Sequence, residues 1–385
     1  MTMKDYIYLD YAAATPMDNR VIDSMSIFQN QKFFNPSANY SPAKNVKNHL
    51  NEARKSIATW LGAKSDEIIF TAGGTESNNL AIHGIMKNFE GKNIISSSIE
   101  HDSVLQPVSK YVHKIAPVDK KAVINLDKLF DLIDDNTVLI SVMYANNEVG
   151  SIQPIKSISQ KIHDIRKQRL LSNNLTPLYL HVDASQAVNY LDLHHARLGI
   201  DLMSLNGGKI YGPKQTGVLF VKSGIILKSN ILGGGQERNI RSGTENVAGA
   251  IGLSKALEIA QSTRKDEVSR ISELQSLFMK KITNLLPETI INGSLKNRLP
   301  NNIHLSFPGI DNERLLSILD DRKLYCAAGS ACSASSNEPS HVLKAMGISD
   351  ELARSSIRIS LGRQTTKSDV EKSVDLIVGA IKEIS

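Results

Sequence analysis

The chain has 385 residues, 41% hydrophobic and 22% charged, and 45 Lys+Arg against 39 Asp+Glu give a formal charge of +6. These are ordinary globular proportions, unlike those of a disordered, collagenous or multi-span membrane chain, and at about 150 residues per domain they allow two or three folded units. The small basic excess is dispersed, and its densest cluster, Arg166-Lys167-Gln168-Arg169, reads as a solvated helix end rather than a nucleic-acid patch.

The amino-terminal residues contain no apolar signal core, and no run of about 20 apolar residues is present to span a bilayer. From residue 45 onward helical and strand-like segments alternate. A helix is predicted over 45–61, with Val46, Leu50, Ala53, Ile57 and Leu61 on one face and Gly62 as its stop. A short strand over 67–71 leads to a helix over 77–86, and apolar strands follow at 93–97, 137–143, 178–182, 202–205 and 218–221. The alternation predicts an α/β domain built on a largely parallel sheet. A long helix over 244–260 hands the chain to a smaller α+β domain, which reads helix from 269, strand 302–307, helix, strand 324–327 and a final helix from Lys367. The expected division is 1–20, a segment joining the small domain, then 21–255 and 256–385. With two cysteines, Cys326 and Cys332, neither a disulfide framework nor a thiolate zinc cage can be built, and a soluble protein of the reducing cytoplasm is expected.

Chemistry collects at the C-terminal ends of the predicted strands, where open α/β sheets bind ligands. Gly73-Gly74-Thr75-Glu76-Ser77 joins a strand to a helix and reads either as an anion cup or as an ordinary capped turn; it is neither a P-loop nor a dinucleotide fingerprint. Glu100-His101, Asn146-Asn147-Glu148, Asp183-Ala184-Ser185-Gln186 and Asn206-Gly207-Gly208-Lys209 end four more strands. Asp183 suits a carboxylate that keeps a ring nitrogen protonated, or a helix cap. His101 suits a stacking ring or a proton carrier, or an unremarkable surface or core histidine. Lys209, among glycines and directly after a strand, suits a Schiff-base amine and is preferred to Lys214, with a solvated loop lysine as the plain alternative. Cys332 stands in a run of small residues, 327–336, that should form a mobile loop carrying an accessible thiol, whereas Cys326 reads as packing. Arg358 alternates with apolar neighbours on a strand and could clamp a carboxylate or serve a structural ion pair.

Taken together these residues resemble the cysteine desulfurases, pyridoxal-phosphate (PLP) enzymes of fold type I within the class-V aminotransferases. The resemblance runs from Tyr8-Leu9-Asp10-Tyr11-Ala12-Ala13-Ala14-Thr15-Pro16 through Asn35-Pro36-Ser37, Gly74-Thr75-Glu76-Ser77-Asn78-Asn79, Glu100-His101 and Asn146-Asn147-Glu148-Val149-Gly150. It continues through His181-Val182-Asp183-Ala184, Lys209-Ile210-Tyr211-Gly212-Pro213-Lys214 and Arg241-Ser242-Gly243-Thr244 to Arg358-Ile359-Ser360-Leu361-Gly362-Arg363. Gly329-Ser330-Ala331-Cys332-Ser333 matches the long-loop subgroup that includes the iron–sulfur assembly enzymes.

The resemblance implies that Lys209 holds PLP covalently, Asp183 pairs with its ring nitrogen and His101 stacks on its ring. It implies that Gln186 meets the phenolic oxygen, that Asn147 lies near cofactor and substrate, and that Gly74 and Thr75 cradle the phosphate. Thr244 would reach the phosphate of the other subunit of a homodimer, and Asn35 and Arg358 would bind the substrate carboxylate. L-Cysteine would yield L-alanine and a persulfide on Cys332, activated by local positive charge or by a proton acceptor such as His101. The sulfur would pass to an acceptor protein, an iron–sulfur scaffold or a tRNA-thiolation enzyme; no resident metal is expected, although Cys332 could ligate a nascent cluster transiently. Neither a membrane nor direct nucleic-acid binding is implied. The chain departs from the family at Asn206 and Gly208, where relatives carry Ser and His that help bind the phosphate. A selenocysteine lyase, another class-V PLP aminotransferase, or a scaffold without PLP are the alternatives.

Overall fold

The computed structural model describes residues 5–329 and 339–384. Seven strands form the main sheet in the order Ile68–Thr71, Gly217–Val221, Leu202–Asn206, Tyr179–Asp183, Thr137–Met143, Asn93–Ser97, Val112–Ala116. Gly217–Val221 is antiparallel to both neighbours and the other pairs are parallel, so all the remaining strands end on one edge of the sheet. Their ends are level: Met143 pairs with Asp183, and Asp183 with Ser204.

The inner strands are buried almost end to end because helices cover both faces. On one face Ile140, Val142, Leu180, Val182 and Phe220 pack with Ile57, Leu61, Ile158 and Ile162. On the other, Ile69, Ile94, Leu139 and Leu219 pack with Leu80, Ile82 and Ile85 of the helix Gly74–Met86. The helix Ser41–Leu61 starts with a proline in its first turn and ends at Gly62, whose φ of +67° is the left-handed conformation glycine adopts most easily. The predicted helix thus begins four residues earlier than the apolar pattern alone suggested.

A second sheet of three antiparallel strands, ordered Ser356–Ser360, Asn302–Ser306, Ile290–Ile291, packs against the helices Arg264–Leu285 and Lys367–Ile384. Ile7–Tyr8 pairs in parallel with Leu324–Tyr325 and brings Leu9 into this second core. The predicted strand 324–327 is shorter than expected, because Ala327 leaves it to pair with Arg358. The helix Val247–Ser262 runs unbroken across the expected boundary at 255/256, and its Ile259 and Ala260 belong to the first core. The next helix supplies Ile271, Phe278 and Ile282 to the second.

One expectation is corrected. The cluster 166–169 lies at a helix end with Lys167 and Gln168 exposed, but its two arginines are held by the protein. Arg169 is buried and donates to the carbonyls of Asp134, Thr137, Thr176 and Pro177, while Arg166 pairs with Asp201. An arginine can satisfy carbonyls at a helix end and serve as interior glue, which charge counting does not distinguish. The strand Val112–Ala116 carries no apolar-run signal because it is an edge strand with Val112 and Ile115 exposed. Among the described residues no helix is long and apolar enough to cross a membrane.

Candidate active site

A cavity of about 110 Å³ opens at the level edge of the main sheet. Its lining includes Gly74, Thr75, His101, Asn147, Asp183, Gln186, Asn206, Lys209 and Arg358, all singled out from the sequence. The parallel strands explain the convergence, since each delivers its terminal residues to the same edge.

The helix Gly74–Met86 begins in the cavity wall, where its first N–H groups have no intrahelical acceptor and its dipole favours an anion. Gly73 has φ +148° and ψ 179°, a conformation essentially restricted to glycine. A Cβ at Gly74 would stand 3.0 Å from Ser185 Oγ and 3.3 Å from Asn206 Cβ, so glycine keeps that wall open. Asn206 accepts from Gly208 N with its Oδ1 (3.0 Å), which leaves its amide nitrogen on the Gly74 side.

Asp183 Oδ1 accepts from Ser185 N (2.9 Å) and Oδ2 from Asn78 Nδ2 (2.8 Å). The same Asn78 amide donates to Ser103 Oγ (2.9 Å), and Ser103 Oγ lies 2.9 Å from His101 Nδ1. Ser103 N–H donates to that Nδ1 at 3.0 Å, which puts the proton of the neutral imidazole on Nε2. Nε2 of this tautomer is a donor rather than a base. One hydrogen-bonded chain therefore joins the Asp183 carboxylate to the His101 ring.

The stretch Asp10–Thr15 supplies the opposite wall. Lys209 Nζ donates to Ala13 O (2.6 Å) and Gln186 Nε2 to Ala12 O (3.0 Å). Lys214 Nζ instead donates to Thr15 O, outside the cavity lining, and burial lowers its pKa. Arg358 is buried and lines the cavity, with Nη2 on Asp10 Oδ1 (2.7 Å) and Nη1 on Asn147 O (3.1 Å); its Nε, itself buried, has no hydrogen-bond partner among the described residues.

Glu100 precedes His101 and is fully buried. Burial, with the negative charge of Asp183 adding to it, pushes its carboxyl up to about 8, against the hydrogen bonds from Ser97 Oγ and Met143 N. The folded chain therefore holds a proton that an unfolded chain releases near the ordinary glutamate value. Stability from this group is complete below about pH 4.5 and is lost as pH rises to about 8, by on the order of a few kcal/mol. Glu100→Gln keeps an acceptor for Met143 N–H without an ionising proton. Its Tm should rise relative to the parent between pH 5 and pH 8; parallel Tm curves would show that Glu100 is not protonated in the fold.

Three predicted residues lie elsewhere. Asn35 is exposed and its Oδ1 accepts from Ser37 N (2.9 Å). Gly208 is not in the cavity lining: its carbonyl accepts from Thr15, and a Cβ there would approach Lys214 Cδ at 3.3 Å. Thr244 lines a separate cavity with Arg241, Gly243 and Gln215. Cys332 lies outside the described residues. Asn78, Ser103, Asp10 and Ala13 were not assigned roles from the sequence; Asn78 and the stretch from Asp10 stood within quoted motifs, and the rest had no side-chain signal.

The model of the family described as Aminotransferase class-V matches residues 7–372. The chain belongs to that family. Among its class-V relatives, a protein of Dictyoglomus turgidum named Cysteine desulfurase IscS is 42% identical over 99% of this chain and 96% of its own length. A solved structure described as a NifS-like protein superposes with a TM-score of 0.89 at 32% identity, covering 98% of this chain and all of that one. Another, described as SspA in complex with cysteine, does so with a TM-score of 0.78 at 34% identity, covering 92% of this chain and 98% of that one. The class-V assignment agrees with the α/β architecture and with the cavity at the strand ends.

Proposed function

We propose that this class-V chain is a PLP-dependent cysteine desulfurase. The observation that carries the reading is the convergence of one amine (Lys209), one carboxylate (Asp183) and one guanidinium (Arg358) on a single cavity. The full-length likeness to proteins named cysteine desulfurase supports it. The wall also fits the cofactor part by part. The helix start at Gly74 and Thr75, with the Asn206 amide, suits a phosphate; Asp183 suits a protonated ring nitrogen, and the His101 ring a flat heterocycle. Gln186 and Asn147 lie where they could meet its phenolic oxygen and the substrate.

When bound, PLP supplies the electron sink that labilises the α-proton and then the Cβ–S bond of the amino acid. Lys209 anchors the cofactor and afterwards moves the α-proton with its amine. Arg358, whose side chain lines the cavity, would hold the substrate carboxylate with its guanidinium. The thiolate of Cys332 attacks the substrate sulfur: an S–S bond forms, the substrate C–S bond breaks, and the carbon left behind is protonated to give L-alanine. The product on the enzyme is a Cys332 persulfide, which is handed to an acceptor protein, an iron–sulfur scaffold or a tRNA-thiolation enzyme. A homodimer belongs to the same reading, with Thr244, outside its own chain's cavity, serving the partner's site. So do a cytoplasmic location and a division into two domains, placed at Thr263 where one helix feeds the first core and the next feeds the second. Asn35 is exposed, so carboxylate recognition rests on Arg358.

Purified protein supplied with PLP and L-cysteine should form L-alanine, and sulfide in equal amount when a reducing thiol is present. Formation of a keto acid in place of alanine would indicate a transaminase. Absence of a PLP absorption band would indicate a scaffold without cofactor.

A further inference from the structure

The segment that carries Cys332 leaves the described structure at Gly329 and returns at Pro339, and hydrogen bonds hold the leading flank to the cavity wall and the trailing flank to residues beside it. On the leading side Arg358 N donates to Ala327 O (2.6 Å) and Ala327 N to Arg358 O (3.1 Å). On the trailing side Ser340 Oγ donates to the carboxylate of Glu148, which is 1% exposed, and accepts from Val342 N (3.1 Å) and Leu343 N (3.3 Å). His341 Nε2 lies 2.9 Å from Glu100 O, and a carbonyl can only accept, so this nitrogen carries the proton. Glu100 and Glu148 each adjoin a cavity residue, His101 and Asn147.

Apolar contacts already dock the trailing flank. Val342, Leu343 and Met346 pack against Ile99, Met143 and Val149. Attachment therefore does not require a buried carboxylate, whose desolvation is costly; what the polar pair adds is a fixed register. We propose that Ser340 and His341, through Glu148 and the Glu100 carbonyl, are positioning residues that set the trailing foot of the Cys332 segment against the cavity. They would thereby govern the sulfur-transfer step and not amino-acid binding. This rests on the desulfurase reading given above.

Ser340→Asp separates the two jobs of the serine. It keeps an acceptor for the Val342 and Leu343 N–H groups and turns a second carboxylate toward Glu148. A misplacement of about 1 Å costs on the order of a hundredfold in rate. Single-turnover alanine formation should therefore slow about ten- to a hundredfold, while the cofactor's spectral response to added cysteine keeps its amplitude and midpoint. Adding Glu148→Gln supplies an amide that can donate to the new carboxylate and should restore the rate to within about threefold. An unchanged rate in Ser340→Asp, a loss that the second substitution does not restore, or an equal loss in cysteine binding would each overturn the proposal. If Ser340→Asp does not fold, His341→Leu and His341→Gln decide in its place: the first removes the donor to Glu100 O and should be slow, the second keeps a donor and should not. Failure of the parent protein, supplied with PLP, to form alanine from L-cysteine would overturn the desulfurase reading itself, a result separate from those three.

Discussion

Replacing Cys332 by alanine should lower alanine formation from L-cysteine by about a thousandfold or more and leave the PLP absorption band in place. The step requires a thiolate that can approach the substrate sulfur, and Cys326 cannot stand in for it. Cys326 packs against the second core, and burial pushes its thiol up to about 12, so it stays protonated at neutral pH and is a poor nucleophile. Cys332 is three residues beyond Gly329, a tether of at most about 11 Å, and the backbone two residues before Gly329 is hydrogen-bonded to that of Arg358 in the cavity wall. The measurement is alanine release together with the absorption spectrum. Retained alanine release with a normal spectrum would remove Cys332 from the reaction.

Lys209→Ala should abolish covalent capture of PLP by borohydride and reduce turnover by about a thousandfold, within the range for a lost acid–base group. Lys214→Ala should leave capture intact. Both amines donate to the same N-terminal stretch, Lys209 to Ala13 O and Lys214 to Thr15 O, but only Lys209 lines the cavity. Its backbone is fixed as well, since Asn189 Nδ2 donates to the Lys209 carbonyl (3.0 Å). Peptide mapping after reduction checks the assignment, and a label on Lys214 would reverse it.

The cavity's charged and aromatic members were legible in the sequence because parallel strands make a simple rule: whatever follows the apolar run meets at one edge. Gly74, His101, Asn147, Asp183 and Lys209 all follow it. Arg358 was readable from its alternation with Ile357 and Ile359 on a strand. Other parts depended on proximity in three dimensions. The Asn78–Ser103 bridge joins the start of one helix to the start of another, and neither residue is unusual in its own segment. The carbonyls of Ala12 and Ala13 hold Gln186 and Lys209, yet a backbone oxygen leaves no mark in a residue pattern. Gly208 and Thr244 were assigned by analogy of position, and a glycine has no side chain to aim at a cavity.

The N-terminal stretch also fixes when the pocket can exist. Asp10 grips Arg358, Ala12 N donates to Ser360 Oγ (2.8 Å), and Ile7–Tyr8 pairs with Leu324–Tyr325. These partners are separated by more than three hundred residues of chain, so the N-terminal wall finds its counterparts only after the strands Leu324–Tyr325 and Ser356–Ser360 have been made. A nascent chain can fold its main sheet early, but it cannot close the cavity before residues 356–360 have been made. Pocket assembly is thereby a late, long-range event and a slow one.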